Sequence, residues 1–166
     1  MKTGAILLVG GMGTRLLPLT LKTPKPMLQV AGVPFTEHQI RKAAGAGISE
    51  IVLATSYKSE LFEPYFGDGE KFGIKIKYAV EHSALGTGGG IRNAAKLLSN
   101  CDQIVIFNGD VLSGHNLKGQ IEFHQQSKAD VTLYLTQVLD ARPYGCVELL
   151  ANNQVKSFLE KMENPI

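Results

Sequence analysis

The sequence predicts an α/β protein, a Rossmann-like α/β/α sandwich with a mostly parallel (mixed) sheet. Three observations carry that expectation. Short β-rich apolar runs alternate with helical patterns along 166 residues. The intervening helices are long enough for βαβ crossovers, which lay strands parallel and cover a sheet on both faces. Glycine turns close two of the strands, Gly10–Arg15 after the first and Asn108-Gly109-Asp110 after a later one. A chain of this length buries one respectable core, so a single domain over 1–166 is expected.

In order, Gly4–Val9 reads as the first strand and runs into Gly10-Gly11-Met12-Gly13. Pro34 suits the first turn of a helix that turns Phe35, Ile40, Ala43 and Ala44 inward and stops at Gly47. Glu50–Thr55 is a second strand, and Ser59–Phe66 a short amphipathic segment ended by Gly67-Asp68-Gly69. Ile74–Val80 alternates like a strand, Gly90–Leu98 reads as helix and Ile104–Phe107 as a buried strand. Leu117–Ser127 is a further helix, followed by a strand over Asp130–Val138 and weaker strands at Cys146–Leu150 and Val155–Leu159. In open parallel sheets ligands bind beyond the carboxyl ends of the strands. Both glycine turns should therefore face one edge.

Composition removes several classes of function. The net charge is +2 with scattered basic residues, which argues against a nucleic-acid groove or a membrane-binding surface. Ala5–Val9 is far too short for a transmembrane span or a signal segment. Cys101 and Cys146 stand apart without CxxC spacing, as expected of reduced thiols in a cytoplasmic protein. His38, His82, His115 and His124 lack zinc spacing, and no GxSxG elbow occurs.

The first turn carries the chemistry. Gly10, Gly11 and Gly13 permit positive φ and bring backbone N–H groups close to an anion. Neither common phosphate fingerprint fits: Leu16 breaks GxGxxG, and Arg15 stands where a P-loop needs its second glycine. Arg15 closes the loop instead, and Lys25 follows within Pro24-Lys25-Pro26, where flanking prolines are expected to hold the lysine on a stiff, extended support. A triphosphate meeting a sugar phosphate gathers about six negative charges, and such chemistry needs cations to screen them. Asp110 follows a buried strand. By itself it suits a turn or a helix cap, or else a magnesium site facing a triphosphate.

The run Gly10-Gly11-Met12-Gly13-Thr14-Arg15-Leu16-Leu17-Pro18-Leu19-Thr20, with Thr23-Pro24-Lys25-Pro26-Met27, resembles the signature of the sugar nucleotidyltransferase family. It is most similar to the mannose-1-phosphate guanylyltransferase branch, and the correspondence runs through the whole chain. The resemblance implies transfer of a nucleotidyl group from a nucleoside triphosphate to a sugar 1-phosphate, with release of pyrophosphate. For this branch the substrates are GTP and mannose 1-phosphate and the product is GDP-mannose. It implies that Arg15 steadies the leaving pyrophosphate, that Lys25 and Lys161 hold phosphates, and that Asp110 carries Mg2+. The Gly10, Gly11, Gly13 and Thr14 turn then holds the nucleotide, as do Gly86 and Thr87 within Leu85–Gly90 beside the base and sugar. Glu81, just upstream, is a candidate to accept from the two N–H donors of a guanine edge, where uracil offers only one. Asn108, Gly145 of a Tyr-Gly turn, and Glu160 and Lys161 of a Phe-x-Glu-Lys element fall to the sugar phosphate.

Family members continue past that element into further sugar-binding residues and a second metal carboxylate. The chain is therefore expected to be a nucleotide-binding portion truncated at its C-terminus, with self-association through uncovered apolar surface. Two competing readings stand beside this one. The first is a uridylyl-, cytidylyl- or thymidylyltransferase acting on another sugar phosphate; the second is a non-catalytic nucleotide-binding regulatory module.

Overall fold

The computed structural model describes residues 1–83 and 85–160. These residues form two compact units, Met1–Lys118 and a second beginning at Gly119. The first unit holds a four-stranded sheet of β1 (Thr3–Leu8), β4 (Glu50–Thr55), β5 (Lys75–Val80) and β6 (Gln103–Asn108), in the order β5-β4-β1-β6. Every pairing in it is parallel, with Ile6 opposite Val52 on one side and Ile106 on the other. The strand order extends from β1 to β4 and β5 in one direction, then returns to place β6 on the other side of β1. The reversal between β1 and β6 is the topological switch point at which open parallel sheets bind ligands.

The buried strands explain why the core forms. All six residues of β4 are buried, as are the four central residues of β1. Ile6, Val52, Ala54 and Ala79 form one face and pack with Ala94 and Leu98. Ala5, Leu7, Ile51 and Leu53 are equally inaccessible and by strand alternation point the other way, so both faces are covered. Burying one such aliphatic side chain contributes roughly 1.5–3 kcal/mol.

Between β1 and β4 lie the antiparallel pair β2 (Gln29–Val30) and β3 (Val33–Pro34), then helix α1 (Phe35–Gly45). Ala31 and Gly32, with φ of 50° and 85°, make the tight turn of that hairpin. Helix α1 buries Thr36, Gln39, Ile40 and Ala43 along one stripe, while Phe35 and Ala44, expected inward, are only half-buried. Gly47 at φ 84° takes the chain out of the helix, as its sequence position required. A single turn of helix, α2 (Glu63–Phe66), buries Phe66, and α3 (Gly86–Ala95) continues into a 3₁₀ turn at Lys96–Leu98.

The second unit is described by itself. It contains most of α4 (Leu117–Ser127) and an antiparallel hairpin of β7 (Gly145–Leu149) and β8 (Val155–Glu160). The strand expected over Asp130–Val138 is not formed. Its alternating residues have the right composition, but among the described residues no neighbouring strand is hydrogen-bonded to them, and Val131 is 74% exposed. β propensity without a ladder does not make a strand. Among the described residues no helix is long and apolar enough to cross a membrane.

Candidate functional site

The cavity at the carboxyl edge of β1 and β6 is about 330 Å³ and is lined by Gly11, Gly13, Thr14, Arg15, Lys25, Thr87, Asn108 and Asp110 among others. Eight of the residues singled out from the sequence thus converge on one cavity from four separate segments. Each arrives there for a local reason. Gly13 takes φ 64°, and a Cβ on it would lie 2.8 Å from Lys25 Cβ and 3.0 Å from Thr20 Cγ2. The absence of a side chain lets the glycine turn close directly on the lysine segment. The Gly13 carbonyl then accepts from Leu16 N–H at 2.9 Å and from Thr20 Oγ1 at 3.0 Å. Arg15 lies in the resulting 3₁₀ turn, Thr14–Leu16, and is exposed to solvent.

Lys25 is held differently from the extended support expected of its two prolines. Pro24 is extended at ψ 147°, but Lys25–Met27 is a 3₁₀ turn with Pro26 in its second position. Proline is at home in a first helical turn because its missing N–H would go unbonded there. The lysine is therefore presented on a turn, closed by Met27 N–H to the Pro24 carbonyl at 2.8 Å. Thr36 of α1, fully buried, donates to the Pro26 carbonyl at 2.9 Å and anchors that turn.

Asp110 follows β6 through Gly109, whose Cβ would lie 2.1 Å from the Leu8 carbonyl oxygen. No other residue fits there, and Gly109 N–H donates to that same oxygen at 2.9 Å. The ends of β1 and β6 are thereby kept in contact at the cavity floor. Lys25 Nζ donates to Asp110 Oδ2 at 2.8 Å, with the two side chains 38% and 49% exposed. The same pair lines a second, apolar cavity of about 130 Å³ walled by Leu16, Leu28, Val30 and Phe35.

Glycines of the Leu85–Gly90 segment are not a loop before a helix. Helix α3 starts at Gly86, at φ 69°, so Gly88, Gly89 and Gly90 lie within its first turns. The unpaired N–H groups of a helix start thus belong to this segment, and Thr87 is the residue of it that reaches the cavity. Gly90 packs beside Glu81: a Cβ there would lie 2.5 Å from Glu81 Oε1, the movable tip of that side chain. Glu81 accepts from Leu85 N–H at 3.4 Å and sits against this helix entry, outside the cavity lining, as does Gly86. Gly10 lies beside the cavity; its carbonyl accepts from Ser56 Oγ at 2.5 Å.

Gly145 and Glu160 belong to the second unit, where they are direct partners across the β7–β8 hairpin. A Cβ on Gly145 would lie 2.7 Å from the Phe158 ring, which accounts for glycine at that position. Lys161 lies outside the described residues.

One buried residue was passed over in the sequence. Gln39 is 2% exposed, and its Nε2 donates to the carbonyls of Asn108 at 2.7 Å and Val111 at 2.8 Å. Its signal was an amide on the buried stripe Thr36, Gln39, Ile40, Ala43, whose spacing belongs to the core face of a helix. One turn along, Lys42 donates to the Ser113 carbonyl at 2.5 Å, and burial pushes its pKa down.

The chain matches known proteins along nearly its whole length. Residues 4–165 match the family model described as nucleotidyl transferase. The chain belongs to the nucleotidyl transferase family. Within that family it is 52% identical over 161 residues to a mannose-1-phosphate guanylyltransferase of Mycobacterium tuberculosis, covering 97% of this chain and 45% of that protein. A mannose-1-phosphate guanyltransferase of Hypocrea jecorina is 36% identical over 160 residues, covering 94% of this chain and 44% of that protein. The chain thus spans under half the length of these curated relatives. Among solved structures, a Bacillus anthracis protein titled as a glucose-1-phosphate thymidylyltransferase superposes with a TM-score of 0.89 at 26% identity. It is matched over 98% of this chain and 66% of that one. HddC from Yersinia pseudotuberculosis, complexed with GMP-PN, superposes with a TM-score of 0.78 at 28% identity, over 95% and 69% of the two chains.

Proposed function

We propose that this chain binds GTP and supplies the nucleotide half of an enzyme that transfers its guanylyl group to mannose 1-phosphate, forming GDP-mannose. The observation that carries this reading is the cavity at the switch point. Backbone of a glycine turn, two cations and one carboxylate surround a space sized for part of a nucleotide. The choice of guanine and mannose rests on the names of the curated relatives.

The reaction is an in-line displacement. An oxygen of the sugar 1-phosphate forms a bond to the α-phosphorus, the bond from that phosphorus to the bridging oxygen breaks, and pyrophosphate departs with the electron pair. The attacking oxygen is already ionised at neutral pH, so the residues need not remove a proton. Their contribution is positioning and charge. Gly11, Gly13 and Thr14 cradle phosphate oxygens at the end of β1. Arg15, exposed and without a hydrogen-bond partner among the described residues, is available to the leaving pyrophosphate. The start of α3 at Gly86 and Thr87 adds N–H groups for the nucleoside side. In the second unit Gly145 and Glu160, with Lys161, serve the sugar phosphate.

Magnesium is the metal of this reading. Among the described residues no cluster of three or more His, Cys, Asp or Glu side chains is arranged to hold an ion. Asp110 suits a different arrangement, in which magnesium takes one or two carboxylates and completes its shell with phosphate oxygens and water. Bound there, the ion would screen phosphate charge and favour departure of pyrophosphate. The Lys25–Asp110 pair is exposed on both sides, so exchanging it for phosphate and metal costs little.

Two measurements test the proposal. Titration of this chain with GTP, UTP and dTTP in Mg2+ should give tightest binding for GTP. A pyrophosphate-release assay with a panel of sugar 1-phosphates should favour mannose 1-phosphate. Binding of none of the three triphosphates would overturn the nucleotide assignment. Preference for another base would move the chain to a different branch.

A further inference from the structure

The segment that carries Asp110 is held from outside the sheet. Its backbone leaves β6 at Asn108, and Gln39 reaches across from α1 to bond carbonyls on both sides of the aspartate, Asn108 and Val111. The orientation of the amide follows from its partners. Two carbonyl oxygens accept, so only the NH₂ group can face them. The amide oxygen pays for nothing in return: it is buried and has no hydrogen-bond partner among the described residues. An apolar side chain of similar size would fill the space without that orphaned acceptor. Packing therefore does not explain a glutamine here, whereas a need for two N–H donors does.

We propose that Gln39 is a positioning residue that fixes the Asn108–Val111 bend and so aims the Asp110 carboxylate into the cavity. The same helix supports the opposite wall, because Thr36 holds the Lys25 turn through the Pro26 carbonyl. Thr36 and Gln39 are three residues apart on one helical face. A single rigid element thus sets the separation of the cation and the carboxylate. Lys42 extends the brace to Ser113 further along the segment. The proposal rests on the reading of Asp110 as the metal carboxylate for its functional consequence, but not for the positioning itself.

Gln39→Leu removes both donors at nearly constant size. Gln39→Asn keeps the amide but withdraws it by one methylene, and serves if the leucine variant does not fold. Two readouts separate positioning from general stability. Amide hydrogen exchange over 108–113 should accelerate at least tenfold in either variant, while β1 and β4 keep their protection; unchanged exchange there, or uniform loss across the sheet, overturns the proposal. GTP affinity should be measured with Mg2+ and with EDTA. Gln39→Leu should lower the Mg2+-dependent gain about tenfold, leave affinity in EDTA unchanged, and add nothing further to Asp110→Asn. Equal loss with and without metal, or full additivity with Asp110→Asn, also overturns it. If wild-type affinity gains nothing from Mg2+, the metal reading of Asp110 falls, and the exchange data alone then decide whether Gln39 positions the bend.

Discussion

The two ends of the central sheet each carry an acidic side chain paired with lysine, and the pairs differ in almost every physical respect. At the amino edge, Glu50 accepts from Lys2, from Lys77 at 2.7 Å and from Asn100 at 3.1 Å, with its side chain 10% exposed. These donors, Lys2 first, then Lys77 and Asn100, hold its carboxyl down at about 2. At the carboxyl edge, Asp110 accepts from Lys25 alone among the described residues, and both side chains are substantially exposed. One carboxylate is surrounded by fixed donors and ties β1, β4 and β5 together where they begin. The other is left with unfilled acceptor capacity, facing a cavity. Saturation at one end and spare acceptor capacity at the other is the arrangement expected if the proposed binding edge is kept apart from the edge that holds the sheet together.

If that contrast is right, substitutions at the two ends should fail in different assays. Arg15→Ala, at the carboxyl edge, has the largest expected effect. Pyrophosphate release should fall about 100-fold or more, with the thermal midpoint little changed because the side chain is exposed to solvent. Near-normal release would remove Arg15 from the reaction. Glu50→Gln should reverse the pattern, costing about 2 kcal/mol in urea unfolding through lost charge-assisted bonds, with GTP affinity of the folded protein intact.

A pH series sharpens the same difference. The Glu50 carboxyl lies below its ordinary 4.5, at about 2 when folded. Its contribution is therefore complete above pH 4.5 and is lost as pH falls from there towards 2. Acid unfolding curves should show this slope in the wild type and a shallower one in Glu50→Gln; identical slopes would contradict it. Lys25→Ala has the smallest expected effect on stability, within about 0.5 kcal/mol, since exposed pairs contribute little. A larger loss in urea unfolding would mean the pair is structural after all.

Much of the frame was legible in the sequence because burial writes a strong pattern. Strands β1 and β4 are buried apolar runs closed by turns, and their reading survives almost residue for residue. β6 forms where expected but is not the buried strand its composition suggested, since it stands at the edge of the sheet with no residue buried and Ile106 47% exposed. The convergence of Gly13, Arg15 and Asp110 followed from knowing that parallel strands bring their carboxyl ends to one edge; Lys25 was expected among them only through the family resemblance. What was misread depends on partners distant in sequence. The Asp130–Val138 run has strand composition, but among the described residues no strand pairs with it. The glycines at 86–89 suggested a loop from propensity, whereas they fall within α3, which starts at Gly86 rather than Gly90. Gln39 was visible as a polar residue on an apolar stripe, yet its purpose is set by carbonyls about seventy residues away.

The closeness of Gly109 to the Leu8 carbonyl has a practical side. Any redesign aimed at a different nucleotide or sugar can vary Thr87, which lines the cavity. Position 109 leaves no such freedom, because even a methyl group there would wedge β1 and β6 apart at the edge proposed to hold the nucleotide. A library that spares it, together with Gly13, should retain folded members in which only selectivity has changed.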